Sequence, residues 1–197
     1  MGTSLQFTID SKAIGAVIDR DKKLPIGTAF AFVQPHWFVT ARHVIVRNDG
    51  TRRAVDLQSI QETITQPAEL LYAHLTVDLA VIGISQSVCR VLLFPAHHGF
   101  AVQNGLIVAG YAPSRTLGNA RSILVNRIES FQMETRERTT GNEEVVIFQV
   151  GLTESGSSGG PVLGSGGGVV GVVIEAWETG GRATIVEPLL RQLAFSD

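Results

Sequence analysis

Residues 156–161, with the sequence GSSGGP, are the part of the chain whose composition points most directly to chemistry. A serine becomes a nucleophile only when a base removes its proton and backbone N–H groups stabilise the oxyanion that its attack creates. Glycines beside the serine allow the tight turn that presents such N–H groups. The alternative interpretation is a plain Gly/Ser turn, of which residues 164–168 offer a second example.

The order of residues along the chain narrows the ways in which Ser158 could be activated. The histidines all precede it: His36, His43, His74, His97 and His98. An α/β-hydrolase needs its histidine after the serine and a helix after the nucleophile, but residues 169–174 predict a strand. The subtilisin order stays formally open through Asp10, Asp19 or Asp21, although that fold needs many helices, which the sequence does not predict. The remaining order is histidine, aspartate, serine.

His43 and Asp78 have the sequence contexts that suit a base and the acid that orients it. His43 follows the apolar segment 38–41, so a strand should hold the imidazole at its end. Asp78 precedes the apolar segment 79–82. A carboxylate beside such a strand is costly unless it is hydrogen-bonded to a group that it orients. Asp56 is the competing acid, but polar residues follow it and favour a solvated position.

The elements that must position these residues are predicted to be short strands. The candidates are residues 13–18, 27–33, 37–40, 52–57, 69–76, 79–84, 106–111, 121–133, 145–151, 160–163, 169–176 and 183–187. Helical turns are predicted only after Ala41 and at the C-terminus from Pro188. Residues 134–144 are nearly all polar and are predicted to form an exposed loop. So many strands and so little helix favour barrels or a sandwich.

Composition excludes several classes of protein. The net charge of −2 argues against binding nucleic acid or an anionic membrane through electrostatics. Cys89 is the single cysteine, so no internal disulfide can form and a metal site is not expected. The longest apolar runs, 79–84 and 169–174, are too short to span a bilayer. We expect a soluble, cytoplasmic protein in a reducing compartment, with no cofactor.

Three segments in this order resemble the chymotrypsin/trypsin-like serine proteases. The resemblance is strongest to the disulfide-free bacterial branch that includes the high-temperature-requirement proteases. Residues 27–30 (GTAF) with 39–44 (VTARHV) resemble the histidine block of the family, 78–81 (DLAV) the aspartate block, and 156–161 the serine block. The resemblance extends from about residue 13 to residue 190 and therefore covers nearly the whole chain.

The resemblance implies an all-β fold of two six-stranded antiparallel β-barrels with a short C-terminal helix. Residues 1–98 would form the barrel that carries the histidine and aspartate. Residues 99–197 would form the barrel that carries the serine and the specificity pocket. The active site would lie between the two barrels.

The resemblance also implies a role for each site residue. Ser158 would be the nucleophile, His43 the general base and then the general acid, and Asp78 the residue that orients His43. The backbone N–H groups of Gly156 and Ser158 would form the oxyanion hole. Ser157 stands where zymogen-type members carry an aspartate, so activation by insertion of a newly cut N-terminus is not expected.

Specificity is predicted from the segments that would surround the bound side chain. The residues expected to line the pocket are Leu152, Thr153, Val173, Ile174 and Ala176. Leu152 is not acidic, so a preference for Lys or Arg is not supported. Glu175 lies in the same segment, but neighbouring residues of a strand alternate between its faces and its direction is left open. We expect cleavage after small or medium apolar residues.

Two functions are compatible with this pattern. The first is a serine endopeptidase that acts on polypeptides through an acyl-enzyme. The second is a catalytically silent or partner-gated module that uses the same fold for binding or regulation. The complete set of His43, Asp78 and Ser158 favours the enzyme. An activating protein partner, if one exists, is expected to contact residues 134–144.

Overall fold

The computed structural model describes residues 13–32, 34–59, 65–86, 105–117, 120–138, 141–151, 154, 156–164 and 166–186. The strands of the first half are β1 (Ile14–Asp19), β2 (Leu24–Phe32), β3 (Gln34–Thr40), β4 (Val55–Ser59), β5 (Thr65–Ala73) and β6 (Ala80–Ile84). One helical turn, α1 (Arg42–Ile45), follows β3. The strands of the second half are β7 (Ile107–Leu117), β8 (Ala120–Arg127), β9 (Ser130–Arg138), β10 (Gly141–Gln149), β11 (Pro161–Leu163), β12 (Val169–Trp177) and β13 (Gly180–Ile185).

Strands β1–β6 form a closed barrel in the order β1-β2-β3-β6-β5-β4. Pairing of β1 with β4 completes the closure. The whole of β1 is buried because successive side chains of a strand point to opposite faces, and each face of β1 meets a core. Val17 packs inside the barrel with Ile82, whereas Ile14 packs in a cluster that includes Leu163 of the second sheet. The predicted six-stranded first barrel is therefore confirmed.

The second half forms a seven-stranded sheet in the order β8-β7-β11-β12-β13-β10-β9. Among the described residues this sheet has seven strands and does not close. The predicted double barrel is therefore shown only in its first half, and a closed second barrel of six strands stays a prediction. The predicted strand 121–133 is interrupted at Ile128 and Glu129. The N–H of Ile128 donates to the carbonyl of Leu106, and that of Glu129 to the carbonyl of Gln149. The two residues between β8 and β9 thus contact the residue before β7 and the last residue of β10.

The polar segment 134–144 is not the predicted loop, because its described residues lie in a hairpin made by β9 and β10. Residues 130–137 of β9 are exposed. A strand with both faces exposed to solvent lacks the alternation of polar and apolar residues by which strands are recognised in a sequence. Strand β9 pairs with β10, which is more apolar, and Met133 of β9 lies opposite Val146 of β10.

Other predictions have separate outcomes. The helical turn after Ala41 is confirmed as α1. The predicted C-terminal helix lies outside the described residues, as does the predicted boundary between residues 98 and 99. Within the described part of the chain, no helix is long and apolar enough to cross a membrane.

Candidate active site

His43 and Asp78 meet at one end of the first barrel. The last residue of β3, Thr40, pairs with the first residue of β6, Ala80, so the segments beyond these two residues are neighbours. The Nδ1 atom of His43 lies 2.9 Å from Oδ2 of Asp78, and the backbone N–H of His43 donates to Oδ1 at 3.0 Å. The carboxylate thus fixes the position of the ring and leaves Nε2 as the nitrogen that can accept a proton.

A buried histidine shapes the bend that carries Asp78. Nδ1 of His74 accepts hydrogen bonds from the N–H groups of Thr76 at 3.1 Å and Val77 at 3.0 Å. Both partners can only donate, so this nitrogen must stay unprotonated. Burial lowers the pKa of His74; the nearby charge of Glu143 opposes that shift and the charge of Arg42 reinforces it. The bend therefore depends on a neutral imidazole.

Glu143 of β10 supports the same bend from the second sheet. Its Oε1 atom accepts the backbone N–H of Asp78 at 3.0 Å, and the residue is 1% exposed. The start of β10 also lies against the bend, since a Cβ on Gly141 would stand 3.2 Å from Cγ2 of Thr76. The position of Asp78 therefore depends on both halves of the chain.

The loop that carries Ser158 is a series of tight turns. Gly156 and Gly159 have φ angles of 102° and 89°, in the left-handed region that glycine adopts without a steric penalty. The N–H of Gly160 donates to the carbonyl of Ser157 at 2.9 Å. The N–H of Gly159 donates to the carbonyl of Val173 on β12 at 2.6 Å. The loop is thereby attached to the second sheet.

Gly159 also brings this loop against the segment that leads to His43. A Cβ atom at position 159 would lie 2.0 Å from the carbonyl oxygen of Thr28, 2.3 Å from Oγ1 of Thr40 and 3.1 Å from the N atom of Ala41. Only glycine permits this approach. Ser158 is thus held close to the strand end from which His43 follows.

The backbone amides of the loop divide into two groups. Those of Ser157, Gly159 and Gly160 donate to carbonyl groups of the protein. Within the described residues, the amides of Gly156 and Ser158 donate to no acceptor. These are the two amides that the resemblance to the protease family implies for an oxyanion hole. N–H groups that bond to no other described residue are able to bind a developing negative charge.

The residues predicted to line the pocket have different positions. Leu152 and Thr153 lie outside the described residues. The side chain of Val173 is buried in the core of the second sheet, Ile174 is buried in the cluster that also contains Ala41, and Ala176 is half-buried.

Glu175, whose direction the sequence left open, is exposed, and its Oε2 atom accepts a hydrogen bond from Nη1 of Arg182 at 2.5 Å. In the described part of the chain, no three His, Cys, Asp or Glu side chains are grouped so that they could hold a metal ion.

Three residues that surround the site were not predicted to take part in it. The sequence assigns no role to His74, predicts an exposed loop around Glu143 and gives Thr28 only as part of the histidine block. Thr28 and Glu143 contact the site across 128 and 65 residues of chain. His74 and Thr28 are polar residues at the edge of an apolar run, which is the local signal that could have singled them out, whereas Glu144 separates Glu143 from such a run.

Comparison with known proteins agrees with this fold. The sequence matches none of the curated proteins with which it was compared. The fold resembles the Rv3671c protease of M. tuberculosis in its active form, with a TM-score of 0.71, 19% identity and coverage of 93% of this chain and 80% of that one. The MamO protease domain of Magnetospirillum magneticum has a TM-score of 0.69 and 12% identity, with coverage of 92% of this chain and 96% of that one. Deg5 has a TM-score of 0.63 and 17% identity, with coverage of 92% of this chain and 87% of that one.

A family relationship follows from the sequence as well as from the fold. Residues 27–172 match the trypsin-like peptidase domain, and this match covers most of the chain. It includes the segments of His43, Asp78 and Ser158, whose backbones the fold brings to one region. The chain belongs to the trypsin-like peptidase family and is a serine peptidase.

Proposed function

We propose that the protein is an endopeptidase that cleaves polypeptides through Ser158, His43 and Asp78. The observation that carries the proposal is the double contact of the Asp78 carboxylate with the ring and the backbone of His43. The His43 side chain is 43% exposed while that of Asp78 is 13% exposed, so the base is accessible and its orienting acid is shielded. This division suits an imidazole that must exchange protons with a substrate.

The proposed reaction has two halves. As Oγ of Ser158 attacks the scissile carbonyl carbon, Nε2 of His43 takes its proton, and the N–H groups of Gly156 and Ser158 receive the oxyanion. The C–N bond breaks when His43 gives this proton to the leaving amine, which leaves an ester on Ser158. A water molecule then attacks the ester while His43 accepts its proton. Return of the proton to Oγ releases the carboxylic acid product.

We further propose that the enzyme prefers small or medium apolar residues before the cleaved bond. The only acidic residue in the segment expected to form the pocket wall, Glu175, is exposed and paired with Arg182. Its charge is therefore compensated, which weakens any preference for a basic side chain. Profiling of a tetrapeptide library would test this, and dominant cleavage after Lys, Arg or Glu would contradict it.

Hydrolysis of casein by purified variants tests the activity itself. Ser158→Ala should remove hydrolysis. Ser130→Ala should leave it unchanged, because Ser130 is an exposed serine on β9 whose hydroxyl donates to Oε1 of Gln149. Circular dichroism should show both variants folded. Casein cleavage by Ser158→Ala at the wild-type rate would exclude this serine as the nucleophile. A silent binding module would give no hydrolysis with the wild-type chain either.

A further inference from the structure

The hydroxyl group of Thr28 lies where three elements of the molecule meet. Thr28 is on β2 of the first barrel and is fully buried. Its Oγ1 atom lies 2.6 Å from the carbonyl oxygen of Gly156 in the serine loop. The same Oγ1 lies 2.8 Å from the backbone N of Tyr111 on β7 of the second sheet. One side chain thus joins both halves of the fold to the loop that carries Ser158.

The chemistry of the partners determines which atom donates in each bond. The Tyr111 N–H can only donate, so Oγ1 of Thr28 accepts it with a lone pair. The Gly156 carbonyl can only accept, so the single hydroxyl proton of Thr28 points to it. Both requirements are met at once. The hydroxyl is therefore oriented by its surroundings, and turning it away would break its hydrogen bonds to the Gly156 carbonyl and the Tyr111 N–H.

The backbone of Thr28 makes a second contact with the same loop. Its N–H donates to the carbonyl oxygen of Ser158 at 2.8 Å. Its own carbonyl oxygen accepts the hydroxyl of Thr40 at 2.7 Å, which holds Thr28 in place in turn. Thr28 therefore donates hydrogen bonds to the carbonyl groups of Gly156 and Ser158, the residues on either side of Ser157.

These contacts bear on the two amides that donate to no acceptor within the described residues. Gly156 is the most freely rotating kind of residue, and its neighbour Ser157 has no charge with which to form an ion pair. The Gly156 amide lies in the peptide unit that precedes the held carbonyl, and the two units share the Gly156 Cα atom. Holding the carbonyl fixes one side of that Cα atom, so the amide can be redirected only by rotation of the preceding unit about it.

We propose that Thr28 is a positioning residue that holds the serine loop in the conformation able to bind the oxyanion. This inference rests on the proposed peptidase function and adds to it an internal device that orders the loop. Thr28 touches neither the substrate nor the reacting atoms, and acts through the backbone of Gly156 and Ser158.

Four variants separate this role from ordinary packing. Thr28→Val keeps the shape of the side chain but removes the hydroxyl, and Thr28→Ser keeps the hydroxyl. Thr28→Cys places a weak hydrogen-bonding group at the same position. The matched control is Thr184→Val on β13, a buried threonine whose hydroxyl has no partner among the described residues.

Kinetics with the best tetrapeptide anilide from library profiling give the first readout. Thr28→Val should lower kcat by about 10- to 100-fold at a nearly unchanged KM, because a misplaced donor costs transition-state binding. Thr28→Ser should recover most of this loss, and Thr184→Val should match the wild type.

The aldehyde of the same peptide should bind Thr28→Val more weakly by a similar factor. The corresponding alcohol, which forms no oxyanion, should bind equally well.

Hydrogen exchange of the amides of Gly159 and Gly160 gives a second readout that needs no activity. In Thr28→Val these amides should exchange at least about tenfold faster than in the wild type and in Thr28→Ser. Faster exchange with an inactive wild-type enzyme would support the role of Thr28 and contradict the proposed function. If Thr28→Val does not fold, Thr28→Cys compared with Thr28→Ser decides by the same measurements.

The proposal is overturned by any of three results in an active wild-type background. The first is a kcat for Thr28→Val within about twofold of the wild type with unchanged exchange. The second is an equal loss in Thr184→Val. The third is a failure of Thr28→Ser to restore activity that Thr28→Val has lost.

Discussion

His43 and Asp78 are held by side chains, whereas the loop that carries Ser158 is held largely by its backbone. In the first region, the carboxylate of Asp78, the imidazole of His74 and the carboxylate of Glu143 each accept backbone N–H groups. In the second region, carbonyl and amide groups of the loop bond to β2 and β12, and glycines permit the close approach. Substitutions that shorten a side chain should therefore disrupt the first region. The second region should also be disrupted by substitutions that add atoms to a glycine.

The largest effect is expected where the two regions act together. Ser158→Ala, His43→Ala and the double variant should each lower kcat/KM by about 10⁴- to 10⁶-fold, because the proton transfer needs both residues. The double variant should be no worse than the single variants by more than about tenfold. Steady-state kinetics on a peptide substrate would measure this. Losses that multiply in the double variant would mean that the two residues act independently.

The next effect tests the region held by backbone. Gly159→Ala should destabilise the fold by roughly 2–5 kcal/mol, because the new methyl group would collide with the carbonyl of Thr28 at a positive φ. Gly167→Ala is the matched control, since Gly167 has a φ of 77° and nothing within 4 Å of the added atom. It should cost only about 1–2 kcal/mol. Urea unfolding followed by tryptophan fluorescence would measure both, and equal losses would contradict the steric account.

A smaller effect is expected from the support behind Asp78. Glu143→Ala should lower kcat by about tenfold, because the N–H of Asp78 loses its acceptor and the bend relaxes. Glu143→Gln keeps an acceptor oxygen and should recover much of the loss. Glu144→Ala, the exposed neighbour on the same strand, is the control. If Glu144→Ala and Glu143→Ala have the same kcat, the contact with Asp78 is not what matters.

The smallest effect concerns pH. Burial lowers the pKa of His74 below its ordinary value of 6.5, so the unfolded chain takes up this proton at a higher pH than the folded protein does. The contribution of His74 to the free energy of unfolding is therefore present above pH 6.5 and lost as the pH falls below it. His74→Asn keeps an acceptor but does not titrate.

Urea unfolding of both proteins at about pH 7.5 and about pH 5.5 would test this linkage. The wild-type protein should lose more stability on acidification than His74→Asn does. An equal loss in the two proteins would show that another group is responsible.

Sequence reasoning reached the candidate catalytic residues because each lies in a short segment whose residue types constrain one another. A small residue and a strand precede His43, an apolar strand follows Asp78, and glycines surround Ser158. The strands of the first half are predicted by short β-branched segments bounded by turn residues, and their closure into a barrel is implied by the resemblance to the protease family. These signals act over a few residues, so a single sequence contains them.

The parts that could not be predicted depend on contacts between distant segments. The hairpin of β9 and β10 has the polar composition of a loop, and only its pairing partner shows that it is a strand. The interruption of the predicted strand 121–133 depends on two hydrogen bonds, at Ile128 and Glu129, that no local pattern signals. Glu143 and Thr28 gain their roles from partners more than 60 residues away.

Covalent labelling tests the central claim most directly, since it asks whether a base, a nucleophile and an oxyanion site exist together. The wild-type protein, treated with a fluorophosphonate, should gain the mass of one phosphonyl group. Peptide mapping should place that group on Ser158, and both Ser158→Ala and His43→Ala should remain unlabelled. A folded wild-type protein that stays unlabelled, or a label on another serine, would contradict the account.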